Sequence, residues 1–563
     1  MEQLKVLILG GYGTFGGRLA QLLADEARLT LVVAGRSHAK AAAFCAGLTA
    51  KATAVPLAFD RDGAVEAQLR QIGPALVVDA SGPFQSYGAD PYRVVRAALA
   101  LGINYLDLAD GADFVAGIAQ FDAEARARGL FVLAGASSFP VLTAAVIRRL
   151  APGMARIDTV TAGIAPSPHA KVGLNVIRAI ASYAGKPVKL LRDGRPGIGY
   201  ALVETRRYTI APPGRLPLRP TRFSLVDVPD LLVLPRLWPG LRAVWIGAGP
   251  VPEIWHRALN ALAWAVRLKL LPSLSPFAGL MCATMHRLSF GEHRGGMFVA
   301  LEGARHDGGR IARSWHLLAE GEDGPLIPSM AADAVVRRCL AGQAPPAGAR
   351  AAATDLELAD YQALFARRRI ATGVRQDDAD QAPLYRRVLG EAWDLLPPAL
   401  KTMHDGTRVA DGRAVVDSGG GLLARLVAWA VGFPPSGREV PVTVTFASEG
   451  KGERWERWFG DGANSKVHRF SSIQEQGRGR FKRLLCERFG PCRFGLALVV
   501  EGDRLRLIPR GWSFAGLPLP LALAPCVDAY EFCRDGRFHF HVEINHRLMG
   551  LIVRYRGSLA PRV

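Results

Sequence analysis

The densest chemical signal in the chain lies where the apolar run Lys5 to Leu9 meets Gly10-Gly11-Tyr12-Gly13-Thr14-Phe15-Gly16-Gly17. Two spacings overlap here, Gly11, Gly13 and Gly16 as GxGxxG and Gly10, Gly13 and Gly16 as GxxGxxG. Both meet the same physical demand. A residue without a Cβ makes the tight turn, a second lets the backbone approach a pyrophosphate, and a third lets a helix pack on the strand. The helix that follows then points free N–H groups and the positive end of its dipole at the phosphates. A strand in front and the apolar-periodic RLAQLLADE behind supply the context that makes the motif informative. The chemistry expected is dinucleotide binding.

The next strands select the nucleotide. The run 29–34 ends in Gly35-Arg36-Ser37, where an NAD enzyme would place an acid for the ribose 2′-OH. A guanidinium instead suits a 2′-phosphate through a charge-assisted fork, so NADP is expected ahead of NAD. The strand 54–59 delivers Asp60, positioned to accept from an adenine amino group. The strand 75–80 leads into Ser81 and Gly82, at the carboxyl edge of the sheet where ligands bind. Near the same edge, Tyr105, Asp107, Ser137 and Ser138 are candidates for the reaction itself. Asp107 reads either as an acid–base group or as an acid holding a turn, the second being favoured. No tyrosine among the eleven has a lysine four residues later, so the Tyr-Lys pair of short-chain dehydrogenases is absent and no catalytic residue is assigned.

Strands alternating with helices through about residue 150 predict a doubly wound parallel sheet, a Rossmann domain over 1–150. From 151 to 370 the pattern changes to an inserted α+β domain for substrate or dimer contacts, with a closing segment that returns to the first domain. The alternating runs 297–302 and 311–318 around His306-Asp307-Gly308-Gly309 predict a hairpin there. Within it, residues 255–285 read as an apolar helix that places Trp255, Leu259, Leu262 and Val266 near one face. Burial in the core or in a homodimer contact is favoured over a membrane interface, which stays open. Residues 371–383, polar and aperiodic, predict a linker. The C-terminal domain, 384–563, is expected to be mostly antiparallel β or a partial barrel, with some helix.

Composition narrows the classes. With 563 residues, 49% hydrophobic and 21% charged, the chain is too apolar to be disordered. Its 70 Lys and Arg against 50 Asp and Glu give +20, a surface that attracts phosphates and acidic headgroups. The seven cysteines show no CxxC spacing, the first residues read as a strand and not a targeting signal, and no run approaches the about 20 apolar residues of a membrane span. A reducing, cytoplasmic setting is expected, with association to an anionic membrane as a further option. In the C-terminal domain, His539, His541 and Glu543 share one strand face, but their spacing of about 7 Å is wide for one ion, so no metal is expected. The basic run Arg478, Arg480, Lys482, Arg483, Arg488 and Arg493 lacks interleaved stacking aromatics, so specific nucleic-acid binding is not expected.

In the order GGYGTFGGRLA, VVAGRS, VVDASGPFQSYG, GINYLDLADG and AGASSFP, the first 145 residues resemble the saccharopine-dehydrogenase-like reductases. Gly324-Pro325-Leu326-Ile327-Pro328-Ser329-Met330-Ala331 resembles the end of that family's inserted domain. The resemblance implies that Gly10, Gly11, Gly13, Thr14, Phe15 and Gly16 form the cofactor turn, that Arg36 is the basic residue after the second strand, and that Pro83 and Phe84 form the loop after the fourth. Residues 384–559, with ERFGP, GWSFAGLPLP and GRFHFHVEI, resemble an uncharacterised bacterial family fused behind such reductases. The function implied is NADP-dependent hydride transfer to or from a carbonyl or imine of a small molecule. The alternative is a catalytically silent NADP-binding protein working at a lipid surface.

Overall fold

In the computed structural model, the described residues are 3–170, 172–250, 252–287, 289–376, 382–450, 452–460 and 467–562. They divide into two units, one of 1–208 and 221–371, the other of 209–220 and 372–563.

The first unit begins with β1 (Leu4–Leu9), α1 (Thr14–Leu23), β2 (Leu29–Gly35), α2 (His38–Ala46), β3 (Thr53–Ala58), α3 (Val65–Ile72) and β4 (Leu76–Asp79). It continues with α4 (Arg93–Ala100), β5 (Asn104–Asp107), α5 (Ala112–Gly117), α6 (Asp122–Ala127), β6 (Phe131–Ala134) and α7 (Thr143–Leu150). Strands β1, β2, β4, β5 and β6 are short, apolar and mostly buried, as befits a parallel sheet covered on both faces, while β3 at the sheet edge is half-exposed.

Next come β7 (Arg156–Ala165), α8 (Leu174–Tyr183), the hairpin β8 (Pro187–Arg192) and β9 (Arg195–Tyr200), β10 (Thr205–Tyr208) and β11 (Thr221–Leu225). After them follow α9 (Asp230–Leu237), β12 (Ala243–Ala248), α10 (Glu253–Arg267), α11 (Ala278–Arg287), β13 (Arg294–Ala304) and β14 (Arg310–Glu320). The unit closes with α12 (Ile327–Leu340), β15 (Gly348–Ala351), α13 (Leu358–Phe365) and the start of β16 (Ile370–Gln376).

The first sheet has order β15-β6-β5-β4-β1-β2-β3 and is parallel throughout. Its order reverses between β1 and β4, the switch point where doubly wound sheets open a crevice. The edge strand β15 comes from beyond the inserted segment, so the chain does return to this sheet. The second sheet is mixed, with order β10-β11-β12-β7-β13-β14-β16, and holds the expected hairpin as the paired β13 and β14.

Two expectations need correction. Residues 370–376 form β16, so the front of the supposed 371–383 linker is a strand; 377–381 lie outside the described residues. In α10 the buried stripe is His256, Asn260, Ala263 and Val266, and Leu262 and Trp264 face outward. The reason is a polar anchor: His256 Nε2 and Asn260 Nδ2 meet the buried Ser224 hydroxyl at 2.7 and 2.8 Å. Asn260 Nδ2 also donates to Leu202 O at 2.7 Å. Hydrogen bonds that a buried polar group cannot forgo turned the helix away from its most apolar face.

The second unit contributes α14 (Leu384–Leu389), α15 (Pro398–His404), β17 (Val409–Ser418), α16 (Leu422–Val431), β18 (Gly437–Glu449), β19 (Gly452–Phe459) and β20 (His468–Gln476). Then follow β21 (Leu485–Phe489), β22 (Cys492–Glu501), β23 (Arg504–Phe514), β24 (Leu517–Leu519), β25 (Cys526–Arg534), β26 (Arg537–His546) and β27 (Gly550–Pro561). The sheet runs β22-β21-β20-β19-β18-β17-β27-β26-β25-β23, and β22 also pairs with β23, so ten antiparallel strands close into a barrel with β24 appended to β23. Closure removes the open sheet edges that would otherwise template association.

Candidate dinucleotide site

The turn after β1 is built without room for side chains. Gly10 sits at φ 71°, and a Cβ there would lie 2.7 Å from Ser81 Cα and 2.8 Å from Ala80 O. A Cβ on Gly11 would meet Ile8 O at 2.8 Å, and one on Gly16 would run into Gly10 O. The backbone closes on itself through Gly13 N to Gly10 O at 2.8 Å and Gly17 N to Gly13 O at 2.9 Å. Gly13 occupies the position before α1, and no side chain caps the first N–H groups of that helix. Uncapped donors beside a glycine cradle are what a diphosphate requires.

The neighbours of the turn come from several elements. Tyr12 Oη accepts from Ser37 N at 3.1 Å, fastening the turn to the end of β2. Phe15 O accepts from Ser329 Oγ at 3.0 Å, from the first turn of α12. Thr14 packs on Gly173, just before α8, and Asn175 Nδ2 donates to Gly82 O at 3.2 Å. The inserted segment thus borders the carboxyl ends of β1 and β4.

Arg36 is exposed at the end of β2, with no hydrogen bond or ion pair among the described residues. Its neighbours in the expected site are otherwise engaged. Ser37 Oγ accepts from Lys40 N at 3.4 Å as the cap of α2. Asp60 Oδ1 accepts from Asp62 N at 3.0 Å, holding its own loop. Phe84 is buried against Tyr87 and Phe114, with ring centroids 4.7 and 5.1 Å away, so with Pro83 before it this loop is held by packing. Ser81 faces the turn, and its hydroxyl donates to Asp79 Oδ1 at 2.5 Å.

Beneath the crevice lies a group that strand-by-strand reading missed. Asp79 and Asp107 are register partners on β4 and β5, and both are fully buried. Asp79 is met by Arg61 Nε at 3.7 Å and by Tyr87 Oη at 3.3 Å, with the guanidinium 3.1 Å above the Tyr87 ring centroid. Asp107 Oδ1 accepts from Gly135 N at 2.7 Å and Ala109 N at 2.9 Å, which ties the loops after β5 and β6 together. Burial, partly countered by those two N–H donors, pushes the Asp107 carboxyl up to about 7. Burial first, then the charge of Asp107, raises the Tyr105 hydroxyl well above its ordinary value, so it stays protonated. Tyr105 and Asp107 therefore sit within the wall of the crevice, and Ser138 is nearly buried, while Ser137 is half-buried with its N–H bonded to Gly135 O.

A second acidic group lies nearer solvent. Gln85 Nε2, on the loop after β4, donates to Asp110 Oδ1 at 3.1 Å. Burial, followed by the charges of Asp113 and Asp110, pushes half-buried Asp227 up to about 6. Lys189 pairs with Asp113 at 3.3 Å. Asp227 follows β11, far in sequence from Asp110, so only the packed inserted segment could reveal the pairing.

This fold and this turn define a dinucleotide-binding protein of the doubly wound class. Residues 6–131 match the family model of the saccharopine dehydrogenase NADP binding domain, and residues 396–559 match the domain of unknown function DUF4166. The chain thus carries an N-terminal segment similar to a saccharopine dehydrogenase NADP binding domain and a C-terminal segment similar to that second family. No curated protein matches. Among solved structures, saccharopine dehydrogenase (L-Glu forming) from Saccharomyces cerevisiae is 13% identical, with 66% of this chain and 99% of that chain covered at a TM-score of 0.46. Biliverdin reductase from Synechocystis sp. PCC 6803, solved with biliverdin and NADP+, is 16% identical over 61% and 92% of the two chains at a TM-score of 0.28. At these values their substrates do not transfer.

In the C-terminal unit, the His539, His541 and Glu543 face is committed to side-chain contacts. His539 stacks on Phe532 and His541 on Tyr530, at 5.2 and 4.8 Å, and Glu543 accepts from Arg554 Nε at 2.6 Å. No group of three metal-ligating side chains occurs among the described residues.

Proposed function

We propose that the first unit transfers hydride between NADP and the carbonyl or imine carbon of a small molecule. The observation that carries this reading is the bare glycine turn under an uncapped helix, with unpaired Arg36 at the end of the next strand. Gly10 to Gly16 and the first N–H groups of α1 would hold the diphosphate, and Arg36 the 2′-phosphate. Ser81 and Gly82 would border the nicotinamide-side ribose. When bound, the nucleotide supplies or accepts the hydride.

The chain itself orients the reactants and handles the proton. Asp227 suits that task, because it is half-buried and its carboxyl, raised to about 6, exchanges a proton close to neutral pH. Asp107 is sealed in the wall and serves to hold the two loops.

The test is calorimetric titration of the full chain with NADPH, NADP+, NADH and NAD+, followed by NADPH turnover against a panel of carbonyl and imine compounds. Uptake of NADPH with turnover is expected. Asp227→Asn should lower turnover at least about tenfold without changing NADPH affinity. Failure to take up any of the four coenzymes refutes the reading.

A second reading, a lipid-surface protein that keeps NADP without turning it over, draws on one observation. Ile254, Trp264, Leu268, Leu270 and Leu280 on α10, α11 and their connection are exposed. No helix among the described residues is long and apolar enough to cross a membrane, so such contact would be peripheral. Flotation with anionic vesicles that is lost in Trp264→Ser with Leu268→Ser, together with tight NADPH binding and no turnover, would select it.

A further inference from the structure

The barrel of the second unit is not filled by its own side chains. It encloses a cavity of about 210 Å³. An eight-stranded barrel is just wide enough for side chains or one small ligand, so ten strands leave space. An apolar cavity of about 150 Å³ already accepts benzene, so this one takes a larger apolar molecule.

The walls say what kind of molecule. Phe459, Phe470, Phe489, Phe494, Phe540 and Ile544 face the space from six places around the barrel. Water in such a cavity would find few partners, and an apolar cavity without them stays dry or takes an apolar guest. Polar lining residues fall in two places, Glu531 and His541 on β25 and β26, and a hydrogen-bonded band on β19, β20 and β21. Ser472 Oγ donates to Glu487 Oε1 at 2.8 Å, Gln474 Nε2 donates to the same oxygen at 3.1 Å, and Arg457 lies 3.7 Å from it. Arg457, the one guanidinium or ammonium among the described lining residues, is thus already opposite a carboxylate, His541 is stacked on Tyr530, and Glu531 is held by His404 at 2.6 Å, so an anionic guest would find no free counter-charge. Beside this band the Tyr385 hydroxyl and the Gln474 amide oxygen interact with each other, but neither makes a hydrogen bond of regular geometry, although both residues are buried and line the cavity. Buried polar atoms of this kind call for a partner.

Helix α16 provides an entrance. Val427 and Val431 face the cavity, while Leu422, Leu423, Leu426 and Trp429 are exposed on the other side, Leu422 by 85% and Trp429 by 80%. Gly419, Gly420 and Gly421 precede the helix, and Gly432 at φ 85° ends it, so glycine flanks it on both sides.

We propose that this barrel binds an uncharged, largely hydrocarbon molecule of one chain or one fused-ring length, admitted past α16 and held at its polar end by Tyr385 and Gln474. Unlike the reductase reading, it involves no nucleotide, so each can fail alone.

The test uses the full chain and the neutral fluorophore N-phenyl-1-naphthylamine. Saturable binding with a stoichiometry of one is expected, displaced by 1-hexadecanol at least tenfold better than by hexadecanoate at neutral pH. Ala529→Phe, which fills the lining, should weaken binding at least tenfold with an unchanged circular dichroism spectrum. If that variant misfolds, Tyr385→Phe with Gln474→Leu replaces it and should remove the preference for the alcohol. Uptake from dispersed fluorophore and from phosphatidylcholine vesicles is compared in Leu426→Ser with Trp429→Ser. Slower uptake from vesicles alone identifies a bilayer source, and equal rates identify a dissolved one. A folded chain that neither binds the fluorophore saturably nor releases an apolar molecule into organic extract overturns the proposal, as does equal displacement by the alcohol and the carboxylate.

Discussion

Replacing Arg36 with alanine separates the two pyridine coenzymes. Arg36 has no partner among the described residues, so its removal leaves no buried charge stranded and disturbs no ion pair there. The entire effect should fall on the group it meets. A hydrogen bond to a charged group contributes about 1.5–3 kcal/mol, and an exposed guanidinium belongs at the lower end. At about 1.4 kcal/mol per factor of ten, NADPH should bind Arg36→Ala roughly ten- to thirtyfold more weakly. NADH lacks the 2′-phosphate and should bind as before. Arg36→Lys keeps the charge but loses the planar fork, so it should fall between the two. Calorimetry at two salt concentrations reads this directly, and the NADPH advantage of the unaltered protein should shrink as salt rises. Equal loss for NADPH and NADH would mean that Arg36 supports the fold and not the phosphate. No loss for either would refute the assignment of Arg36.

Two further outcomes follow from the same crevice. Gly16→Ala drives a methyl group into Gly10 O, which should cost about 1–3 kcal/mol of stability and abolish measurable NADPH binding; a variant with normal affinity in calorimetry would show that the turn does not grip the nucleotide. Asp107 is raised to about 7 from an ordinary value of 3.8, so the folded chain binds its proton more tightly than the unfolded chain. That contribution to stability is complete below about pH 4 and is lost as pH climbs through 7, amounting to at most about 4 kcal/mol. Asp107→Asn keeps an acceptor for Gly135 and Ala109 and should melt higher than the unaltered protein at pH 8 but not at pH 4; a lower melting point at pH 8 would show that the carboxylate is needed ionised.

The β1 turn was legible because its requirements are local. Gly10, Gly11 and Gly16 each avoid a clash with backbone only a few residues or one strand away, and the apolar flanks announce the strand and the helix. Arg36 was legible for the same reason: it is the second residue past an apolar run. In the C-terminal unit, alternation marks strands over 440–447, 454–459, 494–500, 505–509, 538–544 and 551–555, but it does not mark β17, β20, β21, β24 or β25. The sequences of β20, β21 and β25 mix charge and apolar residues, because one face lines a barrel interior that itself carries polar groups. In α10 apolar periodicity showed only part of the buried stripe: Val266 is buried and Trp255 and Leu259 half-buried, but Leu262 is exposed, because Ser224, distant in sequence, draws His256 and Asn260 inward.

The sequence by itself determined what nearest neighbours and one strand–turn–helix unit can encode: the parallel α/β half, the glycine cradle, and a free guanidinium suited to a 2′-phosphate. Only the tertiary structure decided which distant groups share an environment. Asp79 faces Asp107 because β4 and β5 are in register, Asp227 joins Asp110 through the inserted segment, and β22 meets β23 to shut the barrel around its cavity. Burial and charge coupling depend on distance in space, and alternation along a strand specifies which side a residue takes but not what stands opposite.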